Sequence, residues 1–265
     1  MGERRYKKNF KFFLNSNYYM NIVNLVDAIN FDVNQVGNKA YHLSTLQKLL
    51  SIKIPNGFVM TPEYIFALNE LSLNKRKKTL HPLFSIINMP VIMRSSANFE
   101  DSSHSFAGIM NSNICDSIEE IAIIVPEFIN LLNKPELIGY MKYFGYERNK
   151  LRIACLVQEY INSDYSGVGF TKHPITKNNN TIYIEFSKSH RVKRVVSGNI
   201  IPYSITINKS NNSIEGEYKP LKIETINKLT KILKDIELVF GYPQDVEWLI
   251  IEDEIWITQT RRITA

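Results

Sequence analysis

The sequence predicts an α/β fold. Apolar residues recur at spacings of three and four in the first half and once more near the C-terminus, whereas short β-branched runs bounded by Gly, Pro and Asn concentrate in the second half. The 265 residues, 44% hydrophobic and 22% charged, are enough for one large domain or two lobes around a cleft.

In chain order, residues 1–19 form a basic, aromatic extension expected to be flexible, with Met20 as an alternative start. The expected domain covers 20–265, its lobes dividing at about 150/151. Asn34 to Lys39 reads as a glycine loop feeding a helix, whose face is Leu43, Leu46, Leu49 and Leu50. Ile54 to Met60 reads as a turn and buried strand. Thr61 then caps a helix with Pro62 at its first position. Pro90 to Met93 is a short strand expected to end at Arg94-Ser95-Ser96 in a hydroxyl-rich loop. Asp116 and Glu119 are expected at the cap of a helix that Pro126 would kink or interrupt. Strands follow at Ile153 to Gln158, Gly167 to Thr171, Thr181 to Phe186, Arg194 to Ser197 and Tyr203 to Ile207, with Asn-rich loops at 178–180 and 208–213. Ile226, Leu229, Leu233, Ile236 and Phe240 mark one long helix, ended by Gly241 and Pro243. There is no internal repeat.

The net charge of +6 is local: Arg4 to Lys11, Lys75-Arg76-Lys77-Lys78 in an expected loop, and Arg191 to Arg194. Such runs read as solvated surface rather than as a nucleic-acid footprint. Cys115 and Cys155 are isolated, which suggests neither a zinc site nor a disulfide framework and fits a reducing cytoplasm. No apolar run approaches the ~18–20 residues that span a bilayer, and no signal segment is evident, so the expectation is a soluble cytoplasmic protein.

The chemistry concentrates in a few segments. In Gln244-Asp245-Val246-Glu247-Trp248, the two carboxylates are two apart and share a face of an extended strand. Gln259 and Arg261 do the same on a neighbouring strand joined through a turn near Glu252-Asp253. Carboxylate oxygens suit Mg²⁺ held together with a nucleotide's phosphates, and arginine offers a fork for phosphate oxygens, so the pattern reads as a triphosphate site. On this segment alone the alternation equally describes the wet face of a hairpin. Arg94 is placed to clamp phosphate, and the small-residue turn Ser105-Phe106-Ala107-Gly108 to approach anionic oxygens, although a serine-rich loop is also simply a loop. Leu156 to Ile161 is a buried strand turning polar. Gln158 and Glu159 are candidates to read a purine there, alongside the plainer reading of two strands joined by a polar turn.

Together these segments resemble the nucleotide-binding domain of the pyruvate phosphate dikinase and phosphoenolpyruvate synthase family, an ATP-grasp fold shared with rifampin phosphotransferase. The resemblance rests on Val36-Gly37-Asn38-Lys39-Ala40, Ile54 to Val59, Arg94-Ser95-Ser96 with Glu100-Asp101 and Phe106-Ala107-Gly108, Gln158 to Thr171, Val196-Ser197-Gly198, and the Gln244 to Trp248 and Gln259 to Arg261 motifs. It runs in the family's order from about Ile22 to Ile263. It implies two lobes clamping Mg-ATP, with Lys39 and Arg94 on the phosphates, Gly108 and Ser112 in the phosphate-covering loop, and Gln158, beside Glu159, in the adenine hinge. Asp245, Glu247 and Gln259 then take the Mg²⁺ and γ-phosphate positions, with Arg261 as the last clamp; Lys39, Arg94, Glu247 and Arg261 carry the catalysis. This is phosphoryl transfer by positioning and charge neutralisation.

The implied acceptor is a histidine on a separate swivelling domain, with an acceptor-binding domain beyond it, in the same longer chain or another protein, and AMP as the nucleotide product. The chain stops at Ala265, after the Arg261 motif, and His190 lacks the glycines of a phosphocarrier motif. Three departures stand out: Ser187 to Arg191 is bulky and basic where a glycine-rich turn is usual, Asn38 replaces a glycine, and His173-Pro174 replaces Asp-Pro. The rival readings are a non-catalytic nucleotide-binding module and a self-sufficient small-molecule kinase, for instance of an amide such as glutamine.

Overall fold

Two antiparallel sheets organise the computed structural model, which describes residues 22–85, 87–100, 112–188 and 202–264. One compact unit comprises the described residues up to Ser44 together with Asn56–Tyr160. The other comprises Thr45–Pro55 and the described residues from Ile161 onward. The division falls at Tyr160 rather than near 150, because residues 153–159 form the central strand of the first sheet. Thr45–Pro55 joins the second unit, where the Ile257 N–H donates to the Lys53 carbonyl at 2.9 Å. The expected 1–19 extension, His190 and the 194–197 strand lie outside the described residues.

The first unit contains β1 (Ile22–Asn24), most of α1 (Val33–Leu50), β2 (Gly57–Met60), α2 (Pro62–Asn69), α3 (Leu73–Leu80), β3 (Val91–Ala97), β4 (Ser112–Cys115), α4 (Ile118–Asn130), α5 (Pro135–Phe144) and β5 (Ile153–Glu159). The strand order is β1-β2-β5-β3-β4. Directly paired residues share a face. Phe58, Met60, Val91, Met93, Cys155 and Val157 therefore point together into the core that α2 and α4 cover. Ile92 and Arg94 lie on the opposite face with their partners Gln158, Leu156 and Ser112. Thr61 caps α2 as expected, its hydroxyl accepting the Tyr64 N–H.

Four local expectations are corrected. The strand at Pro90 to Met93 continues through Arg94, Ser95 and Ser96 to Ala97, because every one of these residues pairs with β5. Ser117 rather than Asp116 or Glu119 caps α4, its hydroxyl accepting the Glu120 N–H while the Glu120 carboxylate accepts the Asp116 N–H. The Lys75 to Lys78 run is helical, in α3, and Arg76 is buried rather than solvated. Pro126 does not interrupt α4. Proline lacks the N–H that would bind the carbonyl four residues back, which here is Ala122. Arg76 Nη1 donates to that carbonyl instead, and the same guanidinium also serves the carbonyls of Leu68, Asn69 and Leu71. The helix survives its proline because an arginine from another helix supplies the missing donor.

The second unit contains β6 (Tyr165–Phe170), β7 (Thr181–Lys188), β8 (Tyr203–Asn208), β9 (Ile214–Gly216), α6 (Ile223–Phe240), β10 (Gln244–Ile251) and β11 (Glu254–Arg262), in the strand order β11-β10-β6-β7-β8-β9. Val246, Trp248, Ile184, Phe186 and Ile205 form its buried face. Helix α6 packs close at Gly169, where a Cβ would stand 2.7 Å from a methyl of Leu233. Glu252 and Asp253 join β10 to β11 with φ of 50° and 66°, the pair of positive angles that a tight primed hairpin turn demands.

Candidate functional site

Extended strands place alternate residues on one face, and the register decides which residues meet across strands. In the second unit Asp245 stands directly opposite Arg261, and Glu247 directly opposite Gln259. On the other side of β10, Asp245 pairs with Phe170 and Glu247 with Val168, which in turn pair with Tyr183 and Glu185. All these residues occupy the face opposite the buried one.

This convergence depends on a β-bulge. Counting back from the turn, Trp248 faces Ile257; an unbroken ladder would then set Glu247 against Thr258 and Asp245 against Thr260. The register shifts between Glu247 and Trp248, leaving Thr258 as the extra residue. The inserted residue reverses the facing of everything beyond it, and so turns Gln259 and Arg261 toward the carboxylates.

Arg261 donates through Nε to Asp245 Oδ2 at 2.7 Å, and its Nη2 lies 2.6 Å from the same oxygen. Asp245 is buried at 8% exposure. That burial raises its carboxyl above the ordinary value, Arg261 opposes the shift, and the nearby Glu247 charge adds to it. Beneath the pair, Gln244 locks the strand. Its N–H donates to the Thr171 hydroxyl and its side-chain carbonyl accepts from Thr260. Two carboxylates and an amide oxygen make an all-oxygen donor set, which fits a hard cation such as Mg²⁺ with phosphate completing the shell.

In the first unit, Gly37 breaks α1 with φ 71° and ψ 164°. A Cβ at Gly37 would stand 2.0 Å from the Ser96 carbonyl oxygen, so only glycine permits this approach. The Ser96 hydroxyl clamps the break, donating to the Val36 carbonyl and accepting the Ala40 N–H. The loop expected at Asn34 to Lys39 is thus one helical turn, a break, and the helix proper. Asn38 is accommodated in place of a glycine, its amide donating to the Asn98 carbonyl. Lys39 reaches β3, where its ammonium donates to the Ser95 carbonyl at 2.9 Å and to the Glu100 carboxylate.

Arg94, Ser112 and Gln158 share the face of the first sheet away from its helix-covered core. Gln158 is 1% exposed, and its amide nitrogen has no hydrogen-bond partner among the described residues. An unmade buried donor costs ~1–3 kcal/mol, and a purine ring nitrogen or carbonyl is the kind of acceptor that would relieve it. Glu159 is engaged otherwise: its carboxylate accepts from the Asn56 amide and from both the backbone and side-chain N–H of Asn88. It braces the strand ends around Gln158. Gly108, the 105–107 turn and the 196–198 segment lie outside the described residues.

The profile of the family described as "Pyruvate phosphate dikinase, AMP/ATP-binding domain" matches residues 67–219 and 215–265. The chain belongs to this family. The match bears out the resemblance, and the two sheets with their helices bear out the α/β class expected from the sequence. A probable phosphoenolpyruvate synthase of Methanocaldococcus jannaschii is 29% identical, covering 66% of this chain and 17% of its own length. One of Archaeoglobus fulgidus is 32% identical over 66% and 27%. A rifampicin phosphotransferase of Bacillus cereus is 24% identical over 87% and 34%. The chain therefore spans about a third or less of these relatives. Among solved structures, an ADP complex of an N5-carboxyaminoimidazole ribonucleotide synthetase is similar, with a TM-score of 0.46 and 8% identity over 86% of this chain and 45% of that one.

Three features escaped the sequence reading: the bulge at Thr258, the direct pairing of Lys39 with Glu100, and the placement of Glu185 in the cross-strand row of Glu247. Only the Glu100-Asp101 dipeptide had left a trace, as part of the resemblance. Cys115 and Cys155 are free and buried, the Cys115 thiol pushed up to about 11 mainly by burial, and no group among the described residues activates them. No helix among the described residues is long and apolar enough to cross a membrane.

Proposed function

We propose that this protein is the Mg-ATP-binding part of a phosphotransferase that passes phosphate from ATP to a histidine on a swivelling domain, for transfer to a small-molecule acceptor with AMP as the nucleotide product. The observation that carries the proposal is the cross-strand quartet, Asp245 against Arg261 and Glu247 against Gln259. Glu247, Gln259 and Asp245 would hold Mg²⁺, which when bound neutralises phosphate charge. Arg261, freed from one oxygen of Asp245 or sharing it, donates to phosphate oxygens. Lys39 and Arg94 supply further cations, and Gln158 offers a donor to the purine. None of these side chains is asked to form a covalent bond; each stabilises charge on a transferring phosphoryl group. The names of the relatives, phosphoenolpyruvate synthase and rifampicin phosphotransferase, support the reaction class and leave the acceptor open.

A ligand that binds only the native state raises its melting temperature. Millimolar Mg-ATP is expected to raise that of the wild-type chain, and E247A and R94A to lose most of the rise while staying folded. A folded wild-type chain with no shift would refute the site. With a family swivelling domain supplied, acid-labile, base-stable label from ATP is expected on that domain's histidine. Stoichiometric label on a histidine of this chain alone would refute the partition of roles.

A further inference from the structure

The Lys39 ammonium has three N–H donors. One is directed to the Ser95 carbonyl at 2.9 Å and one to the Glu100 carboxylate. The side chains of Lys39 and Glu100 are only 14% and 9% exposed, so neither charge can rely on water. With two N–H bonds fixed by acceptors in β3 and in the turn that follows it, the direction of the third is fixed as well. The backbone at either end of this contact is itself held: Gly37 is packed on Ser96, and Asn98 ties the turn to residues 34, 38, 150 and 152.

We propose that Glu100 is a positioning residue: its carboxylate aims the remaining N–H of Lys39 at the phosphate that Lys39 binds. This rests on the reading of Lys39 as a phosphate cation. Glu100 touches no substrate. It acts through the lysine, and it also sets the charge, because the Lys39–Glu100 pair is neutral as a unit. The two effects are separable by substitution. E100Q keeps an oxygen that can accept from the ammonium but removes the opposing negative charge. E100A removes both.

The test compares Mg-ATP affinity by calorimetry for the wild-type chain, E100Q, E100A, K39A and the two double variants. E100Q is expected to bind Mg-ATP at least as tightly as wild type. E100A is expected to bind about tenfold more weakly, the loss of one well-directed charge-assisted hydrogen bond. In the K39A background the gap between E100Q and E100A is expected to shrink by most of its tenfold; an undiminished gap overturns the proposal. A role in charge alone would make E100Q and E100A equally tight, and a merely structural role would leave both folded variants at wild-type affinity; either result overturns the proposal. Wild-type affinity in K39A overturns instead the assignment of Lys39 to phosphate. A second readout needs no nucleotide. Trace acylation of the lysines, read by mass spectrometry, is expected to label Lys39 several-fold faster in E100A than in wild type, with the other lysines unchanged. An unchanged Lys39 rate overturns the positioning role.

Discussion

Arg76 and Pro126 form a compensating pair whose energetics a double-mutant cycle can isolate. Truncating Arg76 to alanine removes donors from four backbone carbonyls and leaves the carbonyl of Ala122, which is fully buried, without a partner. Hydrogen bonds to a charged group contribute about 1.5–3 kcal/mol each, and an orphaned buried acceptor costs about 1–3 kcal/mol. Because the Leu68 carbonyl keeps the Leu71 N–H as a donor and the Asn69 and Leu71 contacts are only part-buried, the expected total is about 3–5 kcal/mol. In a P126A background the new residue at 126 has an N–H that reaches the Ala122 carbonyl in the ordinary helical way. Arg76→Ala should then cost less by about 1–2 kcal/mol, the share that belonged to the orphaned carbonyl. Native-state hydrogen exchange of the α4 amides measures this directly, since it reads opening of that helix without requiring the whole chain to unfold in one step. If Arg76→Ala costs the same in both backgrounds to within ~0.5 kcal/mol, the sites are independent and the compensation argument is refuted.

Asp245→Asn should leave the fold as stable at pH 7 or slightly more so. Burial raises the native carboxyl above its ordinary 3.8, so the native state holds this proton more firmly than the unfolded chain, and the group's contribution to stability falls as pH rises through the raised value. The advantage of the variant should therefore vanish toward pH 4, a pattern that melting curves across pH would reveal; lower stability than wild type at pH 7 would contradict it. Deleting Thr258 should regularise the β10–β11 ladder while keeping Gln259 opposite Glu247 and Arg261 opposite Asp245, so stabilisation by Mg-ATP should survive; its loss in a folded chain would refute the reading of Thr258 as the extra residue. Gly37→Ala forces a Cβ against the Ser96 carbonyl at a positive φ and should destabilise the first unit by more than ~2 kcal/mol. A thermal midpoint within a degree of wild type would refute the close approach.

Periodicity made most elements legible. The long apolar stripe from Ile226 to Phe240 and the alternating strand at 203–208 needed nothing beyond it, because their side-chain spacing matches 3.6 or 2.0 residues per repeat, and 153–159 showed as a short continuous apolar run. Residue chemistry fixed the candidate site in the same way: two carboxylates, an amide and an arginine at that spacing belong on strands, and their oxygen and guanidinium groups suit Mg²⁺ and phosphate. Long-range pairing was not legible. Arg94 to Ala97 look like a loop by composition, yet they are held as strand by β5, some sixty residues away. Lys75 to Lys78 look solvated, yet Arg76 is drawn inside by a carbonyl that a distant proline leaves unbonded. The carboxylates and their partners could be named from the chain alone. That Gln259 and Arg261 face them depends on one extra residue at Thr258, since a strand's facing alternates with every residue and a single insertion in the ladder, invisible to local spacing, reverses it.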